Sequence, residues 1–178
     1  MAGASTFGTV FVAGSGFMGS AIAFLVASKT SASVQIFDIS DAQLAKAEAT
    51  IEKFGKTSVE KGFLTVDQFI DAKKRIHATK SEQLAAHSDL VIEAIAEDLE
   101  LKKDLFKRLD NICKKEAIFA SNTSSLSITS LAAATKRSSQ FIGMHFFSPA
   151  HVMKLVELIP GCDTSAETLE KVKTFGEE

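Results

Sequence analysis

One stretch constrains this chain more than any other: Thr9-Val10-Phe11-Val12-Ala13, followed at once by Gly14-Ser15-Gly16-Phe17-Met18-Gly19. The first run reads as a buried strand. The second has GxGxxG spacing and leads into an apolar stretch, from about Phe17 to Ser28, that reads as a helix. Between a strand and a helix the three glycines have separate physical tasks. Gly14 permits the tight turn, Gly16 lets the backbone approach a pyrophosphate, and Gly19 lets the helix pack closely on the strand. The helix start adds unpaired N–H groups and a partial positive charge. The residues expected to cradle a dinucleotide are therefore Gly14, Ser15, Gly16, Phe17, Met18 and Gly19. Asp38 lies 19 residues beyond Gly19, at the end of the second expected strand. A carboxylate there accepts hydrogen bonds from ribose hydroxyls and repels a 2′-phosphate, which favours NAD over NADP. The competing reading is a plain glycine turn; motif, context and Asp38 together weigh against it.

The rest of the chain alternates short apolar runs with amphipathic segments, as a parallel sheet covered by helices requires. Val34 to Asp38 is the second strand. Ser40 with Gln43 forms a capping box and opens a helix with Leu44, Ala47, Ile51 and Phe54 on its apolar face. Gly62 ends that helix, and Thr65 with Gln68 caps the next. These two make a helical hairpin inserted before the third strand, Arg75 to Thr79, and its charge suits a projection standing out from the sheet. Strands follow at Asp89 to Ala94, Ala117 to Ser121, Phe141 to His145 and Lys154 to Ile159. A helix with Leu105, Phe106, Leu109, Ile112 and Cys113 on one face separates the first two of these, and a short helix from Ile128 to Ala134 precedes the third. Thr164 with Glu167 caps a last helix, which continues through Leu169, Val172 and Phe175 with no stop signal, as though the chain runs on. The expected fold is a doubly wound, mostly parallel Rossmann-type α/β sheet, ordered near 3-2-1-4-5-6 with extra strands after it.

Composition closes off several functions. Lys plus Arg is 20 and Asp plus Glu is 22, giving a net charge of −2 with no basic block, so nucleic acid is not an expected partner. No run approaches the roughly 20 apolar residues of a membrane span. Met1 to Thr9 has neither a basic secretory start nor an Arg-rich transit pattern. The two cysteines, Cys113 and Cys162, have no metal spacing and suit a reducing, intracellular compartment, so no metal is expected. All 14 aromatic residues are Phe, which excludes phenol chemistry. One domain is the expectation for 178 residues.

The second chemical constellation is Gly143-Met144-His145-Phe146-Phe147-Ser148-Pro149, followed by Met153-Lys154-Leu155-Val156-Glu157. His145 falls at the carboxyl end of a strand, where open parallel sheets place their ligands. Glu157, on the next expected strand, comes within reach of it. A carboxylate partner fixes the imidazole tautomer and raises the basicity of the other ring nitrogen. Oxidising an alcohol requires removal of its hydroxyl proton as hydride departs, a task for such a histidine. His77, His87 and His151 have no comparable partners.

Taken in order, the glycine loop, Asp89 to Glu97, Ser121-Asn122-Thr123-Ser124-Ser125-Leu126 and Gly143 to Glu157 resemble the L-3-hydroxyacyl-CoA dehydrogenase family of fatty-acid β-oxidation. The resemblance covers nearly the whole chain and corresponds to that family's NAD-binding domain. It implies that His145 is the general base, Glu157 its orienting partner, and Ser124 a hydrogen-bond donor to the substrate's 3-oxygen. It places Glu97 and Lys102 near the ribose and nicotinamide of NAD, and Lys61 of the hairpin near the CoA phosphates. It further implies a helical C-terminal domain, absent from this chain, that carries a homodimer contact and part of the acyl-CoA site. Mitochondrial matrix, peroxisome and bacterial cytoplasm all host this chemistry.

One position departs from the pattern. Many single-function members carry asparagine where this chain has Ser148, and serine there resembles the multifunctional members. Its shorter side chain lacks the amide's second polar group for a cofactor contact. Read without the family, Glu97 and Lys102 are solvated charges at a helix start, and Lys61 is one lysine of a charged hairpin. Asn122-Thr123-Ser124 matches a glycosylation acceptor, accidental in a chain without a secretion signal, and Cys113 is a core residue of its helix. Two further readings stay open: a dehydrogenase of a non-CoA hydroxy acid, and a dinucleotide-binding module with little turnover of its own.

Overall fold

The computed structural model describes residues 5–150, 153 and 155–178. Met1 to Ala4, His151 and Lys154, which entered the readings above, lie outside the described residues. The strands are β1 (Thr9–Ala13), β2 (Ser33–Phe37), β3 (Ile76–Thr79), β4 (Leu90–Glu93), β5 (Ile118–Ser121), β6 (Phe141–Phe146) and β7 (Val156–Pro160). They form one sheet in the order β3-β2-β1-β4-β5-β6-β7. The first six are parallel, and β7 runs antiparallel to β6. The 3-2-1-4-5-6 expectation holds; in place of several extra strands, one follows among the described residues.

The helices are α1 (Phe17–Lys29), α2 (Asp41–Glu60), α3 (Val66–Lys74), α4 (Leu99–Ile112), α5 (Ile128–Ala132) and α6 (Ala166–Glu177). Two hydrophobic cores flank the sheet. On one side Phe106 packs edge-on against Phe141, with ring centroids 4.6 Å apart, and stacks on Phe119 at 5.6 Å. On the other lie α1, the hairpin α2–α3 and the end of α6.

Helix α1 explains where the hairpin goes. Gly19, Ala21, Ile22, Ala23, Phe24, Val26 and Ala27 are all buried, so apolar residues surround most of its circumference. A helix of that kind needs cover on its outer side as well as a sheet beneath it. The hairpin supplies it: Phe24 meets Phe54 of α2 and Phe69 of α3, at 6.0 and 6.4 Å between centroids. The expected free projection is thus corrected to a third layer over α1. Gly55 lets the two hairpin helices close, since a Cβ there would sit 1.9 Å from the Phe69 ring.

Helix starts bear out some of the capping and correct the rest. Thr65 and Gln68 form the full reciprocal box, and Gly62 ends α2 with φ +71°. The Ser40 side chain accepts from the Gln43 N–H at 3.3 Å, but the Ser40 N–H donates to Asp38 Oδ1 instead of to Gln43. The cap of α6 is Ser165, accepting from Thr168, and not Thr164. The Thr164 hydroxyl is drawn away by the Phe141 carbonyl and the Gly161 N–H. Among the described residues no helix is long and apolar enough to cross a membrane, and no group of three or more His, Cys, Asp or Glu could hold a metal.

Candidate active site

The site is built along the carboxyl edge of the sheet, where the chain order reverses between β1 and β4. Gly14 follows β1 with φ +102°, a conformation that favours glycine, and its N–H donates to the Phe37 carbonyl of β2. A side chain at Gly14 would sit 2.5 Å from the Ala94 carbonyl beyond β4. At Gly19 it would sit 1.8 Å from the Gly14 carbonyl, so the helix rests directly on the turn. Gly16 differs from both: it is the exposed N-cap of α1, and a Cβ built on it meets nothing within 4 Å. Open space therefore faces the helix N-terminus, whose unpaired N–H groups are donors of the kind a pyrophosphate requires. The Phe17 ring, 54% exposed, leans on Phe54 of the hairpin, while Met18 packs on the core.

Asp38 stands beside this cradle at the end of β2. Its Oδ2 accepts from the Ser15 N–H at 3.1 Å and the Ser15 hydroxyl at 2.9 Å, and Oδ1 accepts from the Ser40 N–H. Oδ2 is thereby filled, and Oδ1 keeps a further lone pair for a ribose hydroxyl. The cradle and Asp38 together fit NAD and disfavour a 2′-phosphorylated cofactor.

His145 and Glu157 meet at the other end of the edge. They are directly paired across β6 and β7, and His145 Nδ1 lies 2.9 Å from Glu157 Oε2. The 12-residue interval is thus the length of a strand reversal. The imidazole is one-fifth exposed, the carboxylate about half, and Phe147 lies against the imidazole at 4.8 Å. With Nδ1–H directed at the carboxylate, Nε2 is the nitrogen able to take a proton.

Ser124 is exposed on the loop after β5. Ser121 and Gly143 are register partners, so Ser124 and His145 both lie just past the same level of adjacent strands. Asn122 joins the two segments, its Oδ1 accepting from the Phe146 N–H at 2.8 Å. Motif reading gave Asn122 no role, and its pairing depends on a strand that begins 19 residues later.

Lys102 is not a solvated charge. It is 1% exposed, and its ammonium lies 2.8 Å from Glu93 Oε1 and 2.8 Å from Glu97 Oε2. Glu93, fully buried at the end of β4, also accepts from the Ser121 hydroxyl and the Ile95 N–H. Burial pushes the Glu93 carboxyl above the usual carboxylate range, although these partners pull the other way. Burial also acts on Glu97, but there Lys102, the Thr123 hydroxyl and the Ser124 N–H prevail and hold it below that range. Glu93 escaped motif reading; a carboxylate closing the apolar run Leu90-Val91-Ile92 was its only signal. Lys61 is exposed at the hairpin turn, and Ser148 is exposed after β6, joined to Pro149 by a cis peptide bond.

Over residues 9–178 the chain matches the family model described as 3-hydroxyacyl-CoA dehydrogenase, NAD binding domain. It is 42% identical over 172 residues to the probable 3-hydroxybutyryl-CoA dehydrogenase of Bacillus subtilis, covering 95% of this chain and 58% of that protein. Against the human mitochondrial hydroxyacyl-coenzyme A dehydrogenase the identity is 44% over 172 residues, covering 93% and 54%. The crystal structure of (S)-3-hydroxybutyryl-CoA dehydrogenase PaaH1 from Ralstonia eutropha superposes with a TM-score of 0.91 at 41% identity, covering 96% of this chain and 60% of that one. The chain spans between half and three-fifths of the length of these relatives.

Proposed function

The chain belongs to the 3-hydroxyacyl-CoA dehydrogenase family through its NAD-binding domain, and from that premise we propose that it serves the NAD-dependent oxidation of an (S)-3-hydroxyacyl-CoA to the 3-ketoacyl-CoA, a step of fatty-acid β-oxidation. The observation that carries this reading is the 2.9 Å contact between His145 Nδ1 and Glu157 Oε2 on the edge that also holds the glycine cradle. The 3-hydroxybutyryl-CoA named for two of the relatives supports a CoA thioester as substrate.

The residues divide the work as follows. Gly14 to Gly19 and Asp38 hold the cofactor, with Ser148, Glu97 and Lys102 beside it. NAD, when bound, supplies the acceptor for the hydrogen and electron pair that leave C3. The Ser124 hydroxyl donates a hydrogen bond to the substrate's 3-oxygen and orients it. His145 Nε2 takes the hydroxyl proton, and Glu157 stabilises the resulting imidazolium through Nδ1–H. In the reverse direction the same imidazolium returns the proton. Lys61 on the hairpin turn meets the CoA phosphates. The helical domain and homodimer contact implied by the resemblance belong to the same proposal. So does the corollary that this domain alone binds NAD but turns over slowly, because its edge stays open to water.

NADH consumption with acetoacetyl-CoA tests the reading in this chain and in a protein extended to the length of its relatives. The extended protein is expected to turn over acetoacetyl-CoA with NADH, and far more slowly with NADPH or free acetoacetate. Equal rates on acetoacetate would move the assignment to a non-CoA hydroxy acid. Robust turnover by residues 1–178 alone would refute the corollary.

A further inference from the structure

Asn122 has no task in the motifs or in the proposed chemistry, yet it stands between the two reacting segments. The backbones of β5 and β6 pair as far as Ser121 and Gly143, and β6 then runs on through Met144 and His145 to Phe146. Along a strand the N–H groups point alternately to its two neighbours. At Phe146 the group faces the side that the backbone of β5 has already left, and Phe146 is buried, so an N–H without a partner there is unfavourable. The Asn122 side chain supplies the partner: its Oδ1 accepts from the Phe146 N–H at 2.8 Å. Because that group is a donor, the amide oxygen, and not the nitrogen, is the atom the position requires. Asn122 is itself held from the other side, its N–H donating to the Glu93 carbonyl of β4 at 2.9 Å. One side chain thus adds a rung to the β5–β6 ladder after the backbone has turned away towards Ser124.

The rung lies next to the chemistry. The Phe146 N–H belongs to the peptide group that joins His145 to Phe146, so its hydrogen bond restrains the backbone torsion that aims the imidazole. Across β6, His145 and Phe146 pair with Glu157 and Val156 of β7, the outermost strand. Past Gly143 the backbones of β6 and β7 therefore form a two-stranded ribbon, an arrangement that is marginal on its own. The Asn122 amide ties the end of that ribbon to the sheet. We propose that Asn122 is a positioning residue: by holding the His145–Phe146 peptide it keeps the imidazole aligned with Glu157 and at a fixed place beside the Ser124 loop. It acts through His145. The inference deepens the reading of His145 as the proton acceptor, and it rests on that reading.

The test compares Asn122→Leu, which keeps the shape of the side chain and loses the acceptor, with Asn122→Asp, which keeps the acceptor. In the extended protein at saturating NADH, Asn122→Leu lowers kcat with acetoacetyl-CoA about 10²-fold, as a displacement near 1 Å at the reacting centre does. In residues 1–178, nitrogen NMR of labelled histidine reads the imidazole directly. In the parent chain the two ring nitrogens of neutral His145 are well separated, with Nδ1 carrying the proton that faces Glu157; in Asn122→Leu they converge, because that tautomer is no longer held. The Phe146 amide exchanges its hydrogen at least about tenfold faster, while Phe119 and Ala120 of β5 keep their protection. Asn122→Asp restores kcat to within about fivefold of the parent and separates the ring nitrogens again. Unchanged kcat and ring nitrogens in Asn122→Leu, whatever the exchange at Phe146, would reduce Asn122 to a fastener of the sheet and overturn the proposal. Low kcat in both variants with the tautomer intact would make the Asn122 amide a contact of substrate or cofactor, and would overturn it too. Where Asn122→Leu fails to fold, Asn122→Ala leaves room for water at the Phe146 N–H and is expected to show the same convergence with kcat lowered about tenfold; parental kcat and an intact tautomer in it would overturn the proposal. If the parent protein does not act on acetoacetyl-CoA, the functional reading fails, while the His145 ring nitrogens still decide whether Asn122 holds the imidazole.

Discussion

Gly16 and Gly19 offer a paired perturbation that separates the cradle's two tasks. Gly16→Ala places a methyl group where no atom lies within 4 Å, at a residue with φ −63° and ψ −170°, which alanine adopts freely. Alanine is a poorer N-cap than glycine, but the loss is offset by about 0.4–1 kcal/mol of reduced freedom in the unfolded chain. Stability should therefore stay within about 0.5 kcal/mol of wild type. The same methyl group fills the space into which a pyrophosphate must descend. Lifting one phosphate off one backbone donor forfeits a charge-assisted hydrogen bond of about 1.5–3 kcal/mol, a loss of roughly 12- to 150-fold in NADH affinity. Gly19→Ala does the opposite: its Cβ would lie 1.8 Å from the Gly14 carbonyl, a backbone atom that cannot swing aside. The expected destabilisation is about 1–3 kcal/mol from overpacking, with the turn displaced and NADH binding lost as a consequence. Urea unfolding and a fluorescence titration with NADH measure both effects on residues 1–178. A Gly16→Ala protein that binds NADH like wild type would place the pyrophosphate elsewhere and refute the cradle.

Three further outcomes follow from other parts of the structure. Asp89 is pushed up by burial, but the Lys114 ammonium and the N–H groups of Thr9 and Gly8 outweigh this and hold its carboxyl below the usual range. The stability it adds is present above the unfolded-state carboxylate pKa of about 4 and is lost as pH falls through the folded value, so the difference between wild type and Asp89→Asn should be full at pH 7 and vanish in acid denaturation; a difference constant with pH would refute the assignment. Burial pushes the Cys113 thiol up to about 11, whereas Cys162 is exposed. A thiol reagent at pH 8 should modify one thiol in the native chain, at Cys162, and the second only on unfolding, because the Cys113 thiolate fraction is then about 10⁻³. Glu157→Gln should leave the NADH Kd unchanged and lower kcat in the extended protein: two charges about 4 Å apart attract by ~4 kcal/mol at an effective dielectric of 20, and screening of a half-exposed carboxylate leaves roughly half. That corresponds to about 30-fold, and near-wild-type turnover would dismiss the dyad.

The legible part of the molecule is the part in which residue type answers a backbone need on the spot. Gly14, Gly16 and Gly19 each meet a local steric requirement, and β1, α1 and their turn follow from them. His145 and Glu157 were legible because a strand reversal of fixed length pairs them in register. Illegible features are those whose partners come from distant elements. Ser40 still caps through Gln43 but gives its own N–H to Asp38, and Thr164 gives its hydroxyl to Phe141, so one expected capping box is left half-formed and one cap passes to Ser165. Arg137 is 8% exposed and lies over Phe119 while binding Asp110 and carbonyls of Lys114 and Ala117, an arrangement that the sequence around it does not announce. Lys102 carries the same lesson: its position at the start of α4 reads as surface, and its burial rests on two carboxylates, Glu97 before the helix and Glu93 nine residues away on β4.

The change of direction at β7 links fold to chemistry. A parallel strand following β6 would need a crossover of a dozen or more residues before its first residue could pair. The antiparallel return brings Glu157 opposite His145 directly. It also leaves β7 at the sheet's edge, which is why the Glu157 side chain is 54% exposed. A carboxylate in that position is a weak electrostatic partner as long as water reaches it. Exclusion of water would lower the local dielectric and strengthen the same 2.9 Å contact without moving an atom. The dyad and a cover are therefore interdependent: the hairpin of strands supplies geometry, and closure supplies strength. The fall in kcat on Glu157→Gln should accordingly be larger in the extended protein than in residues 1–178, where residual turnover is measured with excess protein. Equal ratios in the two proteins would mean that the imidazolium is stabilised by something other than its carboxylate neighbour.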